Sequence, residues 1–321
     1  MKTKISKYMD IKRIEFIVTW ECGGRCKHCQ SGDNINKPGS HRHVLADYAV
    51  DAVKKLASVF DIESVMTFGG EPLYYPEVTA AIHKAATECG IETREVITNG
   101  HFTDSAEKSR AAAQMLADAG VNHLPISVDA FHQENIPVEP VYQFVRDVID
   151  AKIPDAFLHP AWLINKEHDN IYNAKTKEIL KKFADLPIRV GENGGVGLAG
   201  HAAKYLRDYF PEAESIDDQI RASVPCSGPL EITGIGIEPN GNAVVCGGVI
   251  GNIYEEDIID IITRYNPHEN EAACAIIQDG IAGLLAYAKT QGVVVDTSEY
   301  GEACWSLCGA ICSELSQSKI K

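Results

Sequence analysis

The chain reads as an α/β protein: a partial (β/α)6 barrel of the TIM type over residues 1–205, then a small α+β extension over residues 206–321. Three observations predict this. Short apolar runs alternate with longer amphipathic stretches through the first two thirds of the sequence. Such alternation implies a parallel sheet with right-handed crossovers. Six runs are too few for a closed eight-stranded barrel, and from about residue 210 the pattern gives way to a hairpin and cysteine-bearing segments.

The expected strands are 14–19, 64–68, 93–98, 124–128, 156–163 and 187–190. The expected helices are 45–60, 77–89, 105–119, 141–151 and 174–183. In the first helix Leu45, Ala49, Val53, Leu56 and Phe60 recur at three- or four-residue steps, which gathers them on one face. Gly90 and Gly120 stand where helices should stop. A glycine-rich stretch, 191–200, follows the sixth strand and is expected to be a connector, with the lining of a cavity as the other reading. Pro239-Asn240-Gly241 marks a turn inside 235–246, which reads as a hairpin.

The chain has 321 residues, a net charge of −15 and no long basic run. That balance argues against a general nucleic-acid binder. The N-terminal residues lack the apolar core of a signal peptide, and no apolar run is expected to span a membrane. Ten cysteines are therefore expected as free or metal-bound thiols in a reducing cytoplasm rather than as disulfides. Of these, Cys89 and Cys274 are expected to pack in the core.

The densest chemistry is Cys22-Gly-Gly-Arg-Cys26-Lys-His-Cys29, directly after the first strand. Three thiolates in one loop can hold three irons of a cubane and leave the fourth open to a substrate or cofactor. Zinc held by the three cysteines and His28 is the other reading. Gly69-Gly70-Glu71 follows the second strand, and Asn99-Gly100 follows the third. Ser127 and Asp129 lie at the end of the fourth. In parallel barrels, chemistry gathers at the C-terminal ends of strands, where all of these fall. Taken singly, Gly69-Gly70 and Asn99-Gly100 are also turn signals, and Ser127 and Asp129 also suit helix caps.

Together these segments resemble the radical S-adenosylmethionine (SAM) family. The resemblance implies that Cys22, Cys26 and Cys29 ligate a [4Fe-4S] cluster with an open iron that binds SAM. It implies that Gly69, Gly70 and Glu71 meet the SAM amino group, and that Ser127, Asp129 and Asn99 meet its ribose and carboxylate. It further implies reductive cleavage of SAM to a 5′-deoxyadenosyl radical, with electrons from a reductant such as flavodoxin or ferredoxin. His28 stands where the family usually has an aromatic ring near the adenine.

The tail resembles the SPASM or twitch extensions of that family, which bind auxiliary iron–sulfur clusters. Cys226 precedes the hairpin, Cys246 ends it, and Cys304, Cys308 and Cys312 follow at four-residue steps. The resemblance implies one auxiliary cluster held by Cys226, Cys246 and two of the last three, with Cys304 and Cys308 favoured. The other reading is a helix whose cysteines pack as small apolar side chains. Cys274 or Cys312, if free of metal, is a candidate hydrogen-atom donor. The expected substrate is a peptide or protein side chain, with a small alcohol-type molecule as the alternative and a non-catalytic electron carrier as the third reading. About a dozen residues precede the first strand, which argues against a fused leader-binding domain. Trp162, His132 and Trp305 are candidates for the substrate site, each with a core or surface role as the expected alternative.

Overall fold

A computed structural model describes residues 5–318, apart from 38, 40, 193, 211, 212 and 247. Its centre is β1 (Met9–Thr19), whose buried Met9, Ile11, Ile14, Phe16 and Val18 make it apolar enough to sit inside a sheet. Five strand–helix units follow. They are α1 (Ala46–Val59) and β2 (Ser64–Gly69), α2 (Pro76–Glu88) and β3 (Thr93–Val96), α3 (Ala106–Asp118) and β4 (His123–Ile126), α4 (Val138–Asp150) and β5 (Asp155–Leu158), and α5 (Ile171–Lys181) and β6 (Arg189–Val190). Neighbouring strands pair in parallel, in register Arg13 to Ser64, Ser64 to Thr93, Glu95 to His123, His123 to Asp155 and Phe157 to Arg189. The expected α/β class and partial barrel are present.

Local sequence explains the boundaries. Ala49, Ala52, Val53 and Leu56 form the buried face of α1. Ser105 caps α3 by accepting from Lys108 N, and Asn170 caps α5 by accepting from Asn173 N. Gly90 and Gly120, at φ 72° and 83°, end α2 and α3 in the left-handed conformation that glycine adopts without strain. Truncating a fully buried residue such as Leu56 to alanine would cost roughly 2–5 kcal/mol.

After the short α6 (His201–Tyr205) and α7 (Ile216–Arg221), the chain returns to the sheet. β7 (Ile232–Ile237) pairs in parallel with the free edge of β1, Ile14 opposite Ile235. The expected hairpin is formed by β7 and β8 (Asn242–Val245), antiparallel, and β9 (Gly248–Asn252) continues it. One sheet results, in the order β6-β5-β4-β3-β2-β1-β7-β8-β9. α8 (Ile258–Arg264) packs its Ile258, Ile261 and Ile262 with β1, α1 and β7 in one core. A separate core gathers α7, α9 (Glu271–Thr290) and α10 (Cys308–Ser318) through Ile216, Ile276, Leu284, Leu307 and Ile311.

Several expectations need correction. Cys89 is not in the core; it is the exposed C-cap residue of α2. Cys274 is half-buried, and its thiol donates to the carbonyls of Pro267 (3.5 Å) and His268 (3.3 Å). α9 is, by length and composition alone, long and apolar enough to cross a membrane. It is bent at Asp279 and Gly280, however, and Ile276, Ile281 and Leu284 are buried in the core it shares with α7 and α10. β5 stops at Leu158, so Trp162 lies beyond it, 2% exposed, bridged to Gly195. The side chain of Trp305 lies outside the described residues.

Candidate active site

The C-terminal ends of β1 to β5 open onto a cavity of about 810 Å³. Its walls include Cys22, Cys26 and Cys29, then Gly69 and Gly70 after β2, Asn99 after β3, Ser127 after β4 and His159 after β5. Seven of the nine residues expected to meet SAM or iron in the barrel thus share one cavity with the glycine-rich stretch at Gly194–Gly197. The glycine-rich stretch is therefore more than a connector.

The glycine pair owes its identity first to packing. Gly69, at φ 134°, would carry a Cβ 2.5 Å from Thr19 O, and a Cβ on Gly70 would drive into Glu21 O. Without side chains, Gly70 N donates to Thr19 O (2.7 Å) and Glu71 N to Glu21 O (2.7 Å). The β2 end is thereby bound to the base of the cysteine loop. Asn99 joins the same assembly, its Nδ2 donating to Cys22 Sγ at 3.5 Å.

Two predicted contacts are placed differently. Glu71 and Asp129 are fully buried and do not line the cavity. Glu71 accepts from Leu73 N (3.0 Å), Thr98 Oγ1 (2.7 Å) and Asn99 N (2.8 Å), which ties β2 to β3. Burial pushes its carboxyl up to about 7, against the pull of those three donors. Asp129 accepts from Phe131 N (2.9 Å), His132 N (3.0 Å), His132 Nδ1 (2.8 Å) and Ala161 N (3.0 Å). Burial alone would raise its pKa; the His132 ring, His28 and the donors outweigh it and hold the carboxyl well below the usual range. A carboxylate only accepts, so His132 Nδ1 carries its hydrogen toward Asp129 and leaves Nε2 without it when the ring is neutral. A motif locates a carboxylate at a strand end but does not say which way it points, and both side chains lie buried behind the cavity wall.

His132 and His159 are cavity residues that the strand-end pattern did not single out as a pair. The signal for His132 was its i+3 spacing from Asp129. His28 packs against Phe131 and His132, both at 4.8 Å between ring centres, and burial pushes its imidazole down to about 4. Its Nδ1 is buried without a partner.

The donor set discriminates between zinc and a cluster. A tetrahedral zinc with bonds of about 2.0–2.3 Å draws its ligand atoms to under about 4 Å of one another. Among the described residues, the one group of three or more such donors within 4.8 Å of one another is Cys26, His28 and His132; Cys22 and Cys29 stand outside it. The three cysteines and His28 therefore do not converge on a single ion. Three thiols spread around one wall, facing glycine backbone and two polar side chains, suit a larger cofactor with a fourth, open side. Burial pushes the Cys22 thiol up to about 12 and raises Cys26 and Cys29 as well, so cofactor uptake must displace protons.

The profile of the radical SAM superfamily matches residues 16–210, more than half of the sequence. The chain belongs to that superfamily. Membership implies a [4Fe-4S] cluster and SAM. GTP 3′,8-cyclase of Listeria monocytogenes serotype 4b is 28% identical over 216 residues, which cover 64% of this chain and 61% of that protein. GTP 3′,8-cyclase of Moorella thermoacetica is 26% identical over 124 residues, 39% of this chain and 36% of that protein. The chain thus matches less than two thirds of the length of these curated relatives. Among solved structures, native anSMEcpe with bound AdoMet is similar at a TM-score of 0.49 and 14% identity, covering 81% of this chain and 83% of that one.

The tail brings its five remaining cysteines together. Cys226 and Cys246 are in hydrogen-bond contact, and Cys308 and Cys312 form a second such pair. Cys246 is pushed up to about 12 by burial and by its neighbours Cys226, Cys308 and Cys304. Gly228 is fitted against this group, since its Cβ would stand 3.3 Å from Cys226 Sγ. Cys304 is exposed, on a π-helical turn (Ala303–Leu307) that leads into α10, while Cys308 and Cys312 are buried. Both earlier readings therefore have a counterpart: a convergence of thiols, and a helix that packs Cys308 and Cys312 beside Leu307 and Ile311.

Proposed function

We propose that the protein is a radical SAM enzyme that abstracts hydrogen from a small polar molecule, with Cys22, Cys26 and Cys29 as ligands of its [4Fe-4S] cluster. The observation that carries this is the meeting of the three cysteines with Gly69, Gly70, Asn99 and Ser127 on one cavity. When bound, cluster and SAM supply the radical that takes a hydrogen atom from the substrate. The chain's own part is to hold and enclose. The backbone at Gly69 and Gly70 and the side chains of Asn99 and Ser127 bind SAM. Glu71 and Asp129 act one step back, fixing Asn99 and His132. His132 and His159 face the remaining space, where they orient the substrate.

A cavity of about 810 Å³ matches small ligands, and the curated relatives are named for a nucleotide. Both favour a small molecule over the peptide expected from the tail. Cys226 and Cys246, with two of Cys304, Cys308 and Cys312, would hold one auxiliary cluster, in an extension from about residue 206. The test is substrate-dependent formation of 5′-deoxyadenosine in anaerobically reconstituted protein. Pools of small metabolites should stimulate it. Stimulation by peptides alone would overturn the small-molecule reading.

A further inference from the structure

Within the cysteine loop, few hydrogen bonds fix the ligand positions: Cys29 N donates to Cys26 O (3.1 Å), and Gly24 N to Cys22 Sγ (3.3 Å). The rest of the hold comes from outside the eight residues that carry the ligands. Asn36 makes a reciprocal pair with Cys22, accepting from its N on Oδ1 (3.0 Å) and donating from Nδ2 to its O (2.9 Å). Asn36 sits at φ 60°, a conformation asparagine tolerates better than most residues, and its own N donates to Trp20 O (2.8 Å). On the opposite side stands His201, the first residue of α6. Its N donates to Cys29 O (2.9 Å), its Nδ1 lies 3.3 Å from Cys26 O, and its Nε2 lies 3.0 Å from Asp33 Oδ1. Gly200, at φ 54°, lets the two segments touch, since its Cβ would stand 2.5 Å from Cys29 O. All three cysteine backbones are thus engaged by two residues that lie 14 positions after Cys22 and 175 after Cys26.

We propose that Asn36 and His201 are positioning residues that hold the cysteine loop in the shape that retains its cluster. The segment after β6 is then a structural part of the cluster site. The proposal rests on the reading of Cys22, Cys26 and Cys29 as ligands. It assigns neither residue a contact with SAM or substrate.

The test is the rate at which anaerobically reconstituted, full-length protein gives up iron to a ferrous chelator. The cluster followed is the one whose paramagnetic resonance signal shifts when SAM is added, which separates it from any auxiliary cluster. Asn36→Gly removes the side chain without straining φ 60°, and His201→Ala removes the ring. Each should speed iron release roughly three- to ten-fold, the range of one or two net hydrogen bonds. Thermal midpoints of the apoproteins should stay unchanged. His201→Asn keeps a donor near the Nδ1 position and should return the rate to within about two-fold of wild type. Iron release at the wild-type rate in both Asn36→Gly and His201→Ala would overturn the proposal. Should either fail to fold, Asn36→Asp, which loses the donor to Cys22 O, and His201→Phe, which keeps a ring but no nitrogen, carry the test: faster release supports it, and wild-type release overturns it. A wild-type protein that takes up no SAM-responsive cluster overturns the ligand reading and this proposal with it.

Discussion

Changing Glu71 to glutamine separates a residue that positions the SAM site from one that touches SAM. The carboxylate is fully buried and accepts three hydrogen bonds, from Leu73 N, Thr98 Oγ1 and Asn99 N. Glutamine keeps one accepting oxygen and turns a donor toward at least one of these donors, which costs roughly 1–3 kcal/mol. Against this stands the removal of a buried charge. The carboxyl lies near 7 in the folded chain against an ordinary 4.5, a difference worth roughly 3 kcal/mol in full. The sign follows from proton binding: between these two values the folded state holds the proton more tightly, so wild-type stability falls as pH rises through about 7. Linkage puts the penalty at roughly 2 kcal/mol at pH 6 and roughly 3 at pH 8. Relative to wild type, Glu71→Gln should therefore gain about 1 kcal/mol between pH 6 and pH 8, read by urea unfolding of the apoprotein. Through the lost hold on Asn99, SAM affinity of the reconstituted variant should fall roughly ten-fold, about 1.4 kcal/mol. An unchanged pH slope together with complete loss of SAM binding would refute this reasoning and place Glu71 on the SAM itself.

Other consequences follow from the same geometry. Asp129→Asn leaves a donor facing His132 Nδ1 or Ala161 N and should cost about 3 kcal/mol at pH 7 by urea unfolding. Because the Asp129 carboxyl is depressed in the fold, that contribution is present above the ordinary carboxylate range and fades as pH falls below about 4. Gly70→Ala drives a methyl into Glu21 O and should cut iron incorporation to less than about half of wild type in a parallel reconstitution. Cys246→Ala, at the centre of the C-terminal thiols, should lower bound iron from about eight to about four per chain, with the SAM-responsive signal retained. Unaltered iron content would remove the auxiliary cluster.

Much of the barrel was legible because its signals are local. Apolar spacing gave α1, terminal glycines ended α2 and α3, and a Pro-Asn-Gly turn gave the β7–β8 hairpin. The cysteine loop was legible because three cysteines lie within eight residues. Less visible was whatever depends on pairing across the chain. Nothing in 191–200 announces that Gly200 and His201 will dock on Cys26 and Cys29. Alternation alone does not say that β7 joins the free edge of β1 rather than a separate sheet. Orientation was lost as well. Glu71 and Asp129 stand at the expected strand ends but turn inward, while His132, three residues on, faces the cavity in their place. Cys89 was assigned to the core by residue type, though its place at a helix C-cap leaves it exposed.

Reductive cleavage of SAM tests the central claim most directly. Protein reconstituted without oxygen is mixed with SAM and a strong reductant, and 5′-deoxyadenosine is quantified beside a variant carrying alanine at positions 22, 26 and 29. The account predicts product from the first and none from the second. Equal product from both, or none from a wild type with its cluster fully loaded and candidate small molecules supplied, would contradict it.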